Sequence, residues 1–223
     1  MILYIDTAFD ETTLAIKKDK KIFEEKISKN KNVSQVLIEK TKHIFKKIGA
    51  EKEEIESIGF NIGPGNFTSL RVALAYVKAL SYHLRIPVIP INSFQILLLS
   101  SLEISDENQI LLAIDAKMNE VYWVYCNNYS DLFLNGSNFN LTSEYEIYEN
   151  IKNFGKKNLK LVKNSSNILK DTEKNNLFFN KIIQQKNKKN LENIFSYIEK
   201  YPGDNINEVN LLYVRNNVAK KMI

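Results

Sequence analysis

Ile58-Gly-Phe-Asn-Ile-Gly63-Pro64-Gly65-Asn66-Phe67-Thr68-Ser69-Leu70-Arg71 reads as a strand, a hard turn and the opening of a helix. Ile58–Ile62 has the apolar character of a buried strand. Glycine on both sides of Pro64 allows positive φ in a tight turn, and proline presets its own φ. Asn66 or Thr68 can then cap a helix over Phe67–Leu84. The free N–H groups at such a helix start suit an anion. A sharp turn packed closely on a neighbour would use the same residues, and the loop lacks the Gly-Lys-Ser/Thr of a P-loop. Strand, turn and helix in this order set an α/β class.

Upstream, Ile2–Asp6, Thr12–Lys17 and Lys21–Ser28 are three short strands with tight polar breaks, an antiparallel meander. Val33, Leu37, Thr41, Ile44 and Ile48 then follow helical spacing up to Gly49. Downstream, Pro87–Ile91 is a strand and Phe94–Leu102 a helix. A meander feeding βα units predicts a mixed sheet with one antiparallel edge and helices packed on it. Ser101–Asn108 is the expected boundary between a first lobe, 1–103, and a second, 104–223, whose last segment is a candidate to pack back on the first. In the second lobe Gln109–Ile114 and Glu120–Cys126 read as strands around a turn at Lys117-Met118-Asn119. A helix over 143–154, a strand over 158–163 and a helix over Leu191–Lys200 follow. Residues 127–140 and 164–193 carry little pattern. No repeat of fixed period is visible, so any duplication of the two halves would be structural.

The 223 residues carry a formal net charge of +5, with 44% hydrophobic and 26% charged residues, the composition of a soluble globular protein. No apolar run approaches the ~20 residues of a bilayer span, and the first residues lack a basic n-region and cleavage site, pointing to the cytoplasm. The one cysteine, Cys126, excludes an internal disulfide framework. Residues 151–200 hold 12 Lys against four acids, a local +8, so the remainder nets −3. Lysine without arginine or interleaved aromatics reads as a solvated face, with a tRNA-contacting patch as the alternative.

Catalytic groups are scarce. His43 and His83 sit on separate helices without metal spacing, and His43 reads as a surface residue. Asp6 and Asp115 each end a predicted strand, where a two-lobed phosphotransferase would hold magnesium or orient water; strand ends also attract Asp for purely structural reasons. The helices over 33–48 and 67–84 are apolar on more than one side, which requires cover on two sides. Ile38, Phe45, Leu70, Leu74, Val77 and Ser81 are the candidates for a shared helix–helix interface, with ordinary core as the other reading.

Three segments together, Ile-Asp-Thr at 5–7, the 63–71 loop and Asp-Ala-Lys-Met-Asn-Glu-Val-Tyr-Trp at 115–123, resemble the bacterial TsaB (YeaZ) family. The tail, Leu-Tyr-Val-Arg-Asn-Asn-Val-Ala at 212–219, is similar to the family's closing motif. The matching motif residues are Arg71, Asp115, Asn119, Glu120, Arg215 and Asn216. The resemblance implies an actin-like ATPase (ribonuclease H-like) α/β fold, with two small lobes that each carry a mixed sheet flanked by helices. It implies a non-catalytic subunit of the complex that attaches threonylcarbamoyl to adenosine in tRNA. That subunit pairs with a TsaD-like catalytic subunit, is joined by a TsaE-like ATPase, meets tRNA through the complex, and self-associates when alone. It implies no cofactor or metal; Asp6, Thr7, Gly63, Gly65 and Thr68 would be the remnant of a nucleotide cleft. The family's loop usually carries Ser and Gly where Asn66 and Ser69 stand, a departure that bears on residual nucleotide binding. A magnesium-dependent actin-like ATPase or kinase is the competing function.

Overall fold

The computed structural model describes residues 1–28, 33–101, 109–133, 138–154, 159–170, 179–184 and 189–214. The chain divides into two compact units, one of Met1–Ser93 with Asn190–Leu212 and the other of Phe94–Lys189 with Tyr213–Ile223.

In the first unit β1 (Ile2–Asp6), β2 (Glu11–Lys18) and β3 (Lys21–Ser28) form the meander, and β4 (Ser57–Asn61) and β5 (Val88–Ile91) complete the sheet. The order is β3-β2-β1-β4-β5. The meander pairs antiparallel, and β4 lies parallel to both β1 and β5. Helices α1 (Val33–Ile48) and α2 (Phe67–Leu84) make the two crossovers. Helix α3 (Ser93–Leu99) opens the second unit. There β6 (Gln109–Lys117), β7 (Glu120–Cys126), β8 (Asn140–Ser143), β9 (Leu159–Lys163) and β10 (Phe179–Gln184) form a sheet ordered β10-β9-β6-β7-β8. Helix α4 (Glu144–Phe154) joins β8 to β9. β6 is antiparallel to β7 and parallel to β9, as β1 is to β2 and β4. The halves therefore repeat one topology with no periodic sequence. No described helix is long and apolar enough to cross a membrane.

Leu3, Ile5, Ile58 and Phe60 point to one side of the first sheet and pack with Leu37 and Ile44 of α1 and Leu70, Ala73 and Val77 of α2. The opposite side carries Tyr4 and Gly59, and α5 (Leu191–Lys200) covers it. Phe195 meets Tyr4 edge-on with ring centroids 6.3 Å apart. A Cβ on Gly59 would lie 2.3 Å from Ile198 Cδ1, so glycine lets the helix settle on the strand.

Most elements fall where the spacing puts them. β8 and β10 do not: both are edge strands, and β8 has no fully buried residue to betray it. The candidate interface residues divide by exposure. Phe45, Leu70, Val77 and Ser81 are at most 8% exposed and belong to the unit's own interior. α1 packs on both the sheet and α2, so a second apolar line is consumed within the chain. Ser81 instead donates to the Ile86 carbonyl at 2.6 Å, holding the end of α2. Ile38 is 48% exposed and Leu74 half-buried.

Candidate functional site

The loop at 63–71 is tied into the first unit by one buried polar network. Asp6, the last residue of β1, is fully buried. Its Oδ1 accepts from the Ala8 N–H at 2.9 Å and from Asn61 Nδ2 at 2.9 Å, and its Oδ2 accepts from the Tyr4 hydroxyl at 3.2 Å. Asn61 ends β4 beside it, because Ile5 pairs with Phe60 in the parallel ladder. Asn61 Oδ1 in turn accepts from the Gly63 N–H at 2.8 Å. The Ser93 hydroxyl stands 3.1 Å from Asn61 Oδ1 and 2.8 Å from the Pro64 carbonyl, and the Ser93 N–H donates to Gly63 O at 2.8 Å. Burial first, and the Asp6 carboxyl second, push the Tyr4 phenol well above its ordinary value, which keeps it a neutral donor.

Gly63 has φ +98° and precedes a cis peptide to Pro64, a conformation open to glycine without strain. Gly65 stands against the β1–β2 connection, where an added Cβ would lie 2.4 Å from the Ala8 carbonyl oxygen. That oxygen already accepts from the Asn66 N–H at 2.7 Å. Asn66 then caps α2 by accepting from the Ser69 N–H at 3.0 Å. Arg71, one turn on, lays its guanidinium over the Phe67 ring at 3.8 Å. The turn's shape thus comes from close approach to β1, with each of Asp6, Gly63 and Gly65 in contact with chain atoms.

Thr7 is fully buried, and its Oγ1 has no hydrogen-bond partner among the described residues. Thr7→Val removes that unmet group at nearly constant volume. It is expected to leave stability unchanged or raise it by about 1 kcal/mol, read as a urea midpoint shift at constant m.

The second unit repeats the motif. Asp115 Oδ1 accepts from the Lys117 N–H two residues on, at 2.8 Å, as Asp6 does from Ala8. Asn164, just past β9, accepts from the Asp115 N–H at 2.9 Å. Lys117 Nζ closes on Asp115 Oδ2 at 3.3 Å. The tip of this hairpin holds Lys117, Met118 and Asn119 at φ of 64°, 55° and 61°. Glu120 then begins β7 opposite Ser143. Arg215 and Asn216 lie outside the described residues.

Other reactive side chains stand apart. Burial first, with Asp131 beside it, pushes the Cys126 thiol up to about 12, far from nucleophilic. His43 stands at the surface with its Nδ1 3.1 Å from Glu25 Oε1. Among the described residues no group of three His, Cys, Asp or Glu could hold a metal ion. Tyr4, Asn61 and Ser93 complete the network yet went unnoticed in the sequence. Only Asn61 carried a signal, a polar residue ending a strand as Asp6 does.

The family model described as TsaD, tRNA N6-adenosine threonylcarbamoyltransferase, matches residues 22–136. A protein of Buchnera aphidicola subsp. Acyrthosiphon pisum named tRNA threonylcarbamoyladenosine biosynthesis protein TsaB is 29% identical, over 76% of this chain and 76% of its own. The protein of that name from Escherichia coli K12 is 25% identical, over 55% of this chain and 53% of its own. Among solved structures, an uncharacterized protein with similarity to peptidase YEAZ from Pseudomonas aeruginosa superposes with a TM-score of 0.72 at 18% identity, covering 96% of this chain and 99% of that one. YeaZ from Pseudomonas aeruginosa superposes with a TM-score of 0.50 at 25% identity, covering 64% of each.

Proposed function

Because the chain belongs to the family of tRNA N6-adenosine threonylcarbamoyltransferase TsaD, among its TsaB (YeaZ) members, we propose that it is a non-catalytic, activating subunit in the formation of threonylcarbamoyladenosine in tRNA. It works in the cytoplasm, pairs with a TsaD-like catalytic subunit, is joined by a TsaE-like ATPase, and meets tRNA through the assembly. The observation that carries the non-catalytic reading is the state of Asp6. The acid a phosphotransferase would offer to magnesium is fully buried, and both its oxygens take donors from Tyr4, Ala8 and Asn61. Thr7, Gly63 and Gly65 are held in the same closed arrangement.

The pairing surface lies on the outer sides of α1 and α2. Ile38, at 48% exposure, and the half-buried Leu74 are the members of the expected set that a partner could reach, and Tyr82 on α2 is 78% exposed. Exposed apolar side chains on a helix are the material of a packed interface. The same surface would serve self-association in the absence of the partner.

The test is co-purification and gel filtration with the TsaD-like protein of the same source. A stable complex is expected, and Ile38→Glu combined with Leu74→Glu should weaken it at least about 30-fold, the scale of an interface hot spot. Circular dichroism should show the variant folded, whereas Phe45→Asp, aimed at the interior, should unfold it. Absence of a complex sinks the proposal. So does turnover of ATP by the purified chain that is lost in Asp6→Asn, the behaviour of a magnesium-dependent kinase.

A further inference from the structure

Residues four apart on a helix stand in one row along its surface. On α1 the row Ile38, Lys42, Lys46 is exposed throughout. On α2 the row Leu74, Lys78, Tyr82 is half-buried at Leu74 and exposed at the other two. Arg71, three residues before Leu74, joins this second row at the surface. α1 and α2 pack against each other and on the same side of the first sheet, so the two rows belong to one outward layer. Each row sets apolar side chains among cations.

The charge of this layer runs against that of the chain around it. Outside 151–200 the sequence nets −3, yet Phe67–Leu84 contains no Asp or Glu, and Glu39 is the one acid of Val33–Ile48. Lys42, Lys46, Arg71 and Lys78 stand against Glu39, four cations to one acid, a net +3. Lys40, by contrast, turns to β3 and closes on Glu25 at 3.1 Å. Among the described residues no ion pair neutralises Lys42, Lys46 or Lys78.

Given the pairing surface on α1 and α2, on whose reading this rests, we propose that the face sorts its occupants by charge. It takes a protein partner whose docking surface is acidic around an apolar centre, and the same cations penalise a second copy of this chain. A two-fold self-pairing lays a patch on an identical patch, so each cationic row meets its own likeness. Like charges brought together at an interface cost free energy, whereas Asp or Glu opposite them steers the encounter and fixes the register. Ile38, Leu74 and Tyr82 supply the apolar centre. A nucleic-acid backbone would use the cations and leave these three side chains bare in water. Both pairings therefore use one surface, with opposite responses to salt: screening weakens the acidic partner's attraction and relieves the repulsion between copies.

The full chain is measured with the TsaD-like protein of the same source by surface plasmon resonance, and alone by sedimentation velocity, as NaCl rises from about 0.05 to about 0.5 M. The association rate with the partner should fall about tenfold, and self-association should tighten at least about threefold. Lys42→Glu combined with Lys78→Glu, both at exposed positions, should reverse the preference. At low salt the partner should bind about tenfold more weakly, while self-association, now between patches of mixed charge, strengthens. A merely structural defect would weaken both pairings together. If that variant does not fold, Lys42→Gln with Lys78→Gln carries the same signs with smaller changes. A complex whose affinity ignores both salt and substitution overturns this proposal and leaves the partnership standing, whereas no complex at any salt ends both. Binding of tRNA by the chain alone, lost in the Lys42→Glu, Lys78→Glu variant, assigns the face to nucleic acid and overturns the proposal likewise.

Discussion

Gly65→Ala is expected to destabilise the chain by about 3 kcal/mol or more, the upper range of overpacking a filled interior. The new methyl would stand 2.4 Å from the Ala8 carbonyl oxygen, 2.7 Å from its Cβ and 2.8 Å from its Cα. Two of these are backbone atoms, so no side-chain rotation relieves the contact. The loop would have to retreat, and retreat breaks the 2.7 Å bond from the Asn66 N–H to that same oxygen. Asn66 also caps α2, so the start of the helix moves with it. Gly59 makes an informative comparison: its added Cβ meets the end of the Ile198 side chain, which can turn aside, so Gly59→Ala should cost less than Gly65→Ala. Urea unfolding of the two variants gives the ranking directly, and an equal or reversed order would contradict this account of the turn.

Asp6→Ala should cost a similar amount, about 3–5 kcal/mol, for an electrostatic reason rather than a steric one. It strips the acceptor from three buried donors, the Ala8 N–H, Asn61 Nδ2 and the Tyr4 hydroxyl. Each buried donor left unmet costs roughly 1–3 kcal/mol. Asn61 also orders the Gly63 N–H, so the loss passes into the loop. Asp6→Asn keeps an oxygen for the Ala8 N–H and should lose less. Stability separates the roles of this residue: an acid kept for metal chemistry is replaced at little cost to folding, whereas this one should lower the urea midpoint strongly. A midpoint unchanged in Asp6→Ala would contradict the structural role.

Local rules carried much of the architecture into view. Helical spacing in 33–48 and the Gly-Pro-Gly punctuation before Phe67 located α1, the turn and α2, because those features are local to the chain. The interior positions of Phe45, Leu70, Val77 and Ser81 were not legible: whether a second apolar line faces a partner or a neighbouring helix depends on packing between distant segments. β8 and β10 were missed for a related reason, since an edge strand is half-solvated and its pairing is set by its neighbour. The site was half-visible. Asp6, Gly63 and Gly65 stood out as residue types, but the partners that define them, Tyr4, Asn61 and Ser93, meet only in the folded sheet.

Helix α5 and the residues up to Leu212 belong to the unit that Met1 begins, and Phe94–Lys189 lies between them in the chain. The Leu212 N–H reaches back to the Ile62 carbonyl at 2.8 Å, and Phe195 and Ile198 close over Tyr4 and Gly59. During synthesis, then, the first sheet emerges early but waits for its second cover until Asn190–Leu212 has been made. The intervening unit has all its described strands, β6 to β10, before that moment and can close first. Order of appearance and order of completion are reversed, and the half that carries the Asp6 network spends the nascent stage with one face of its sheet bare.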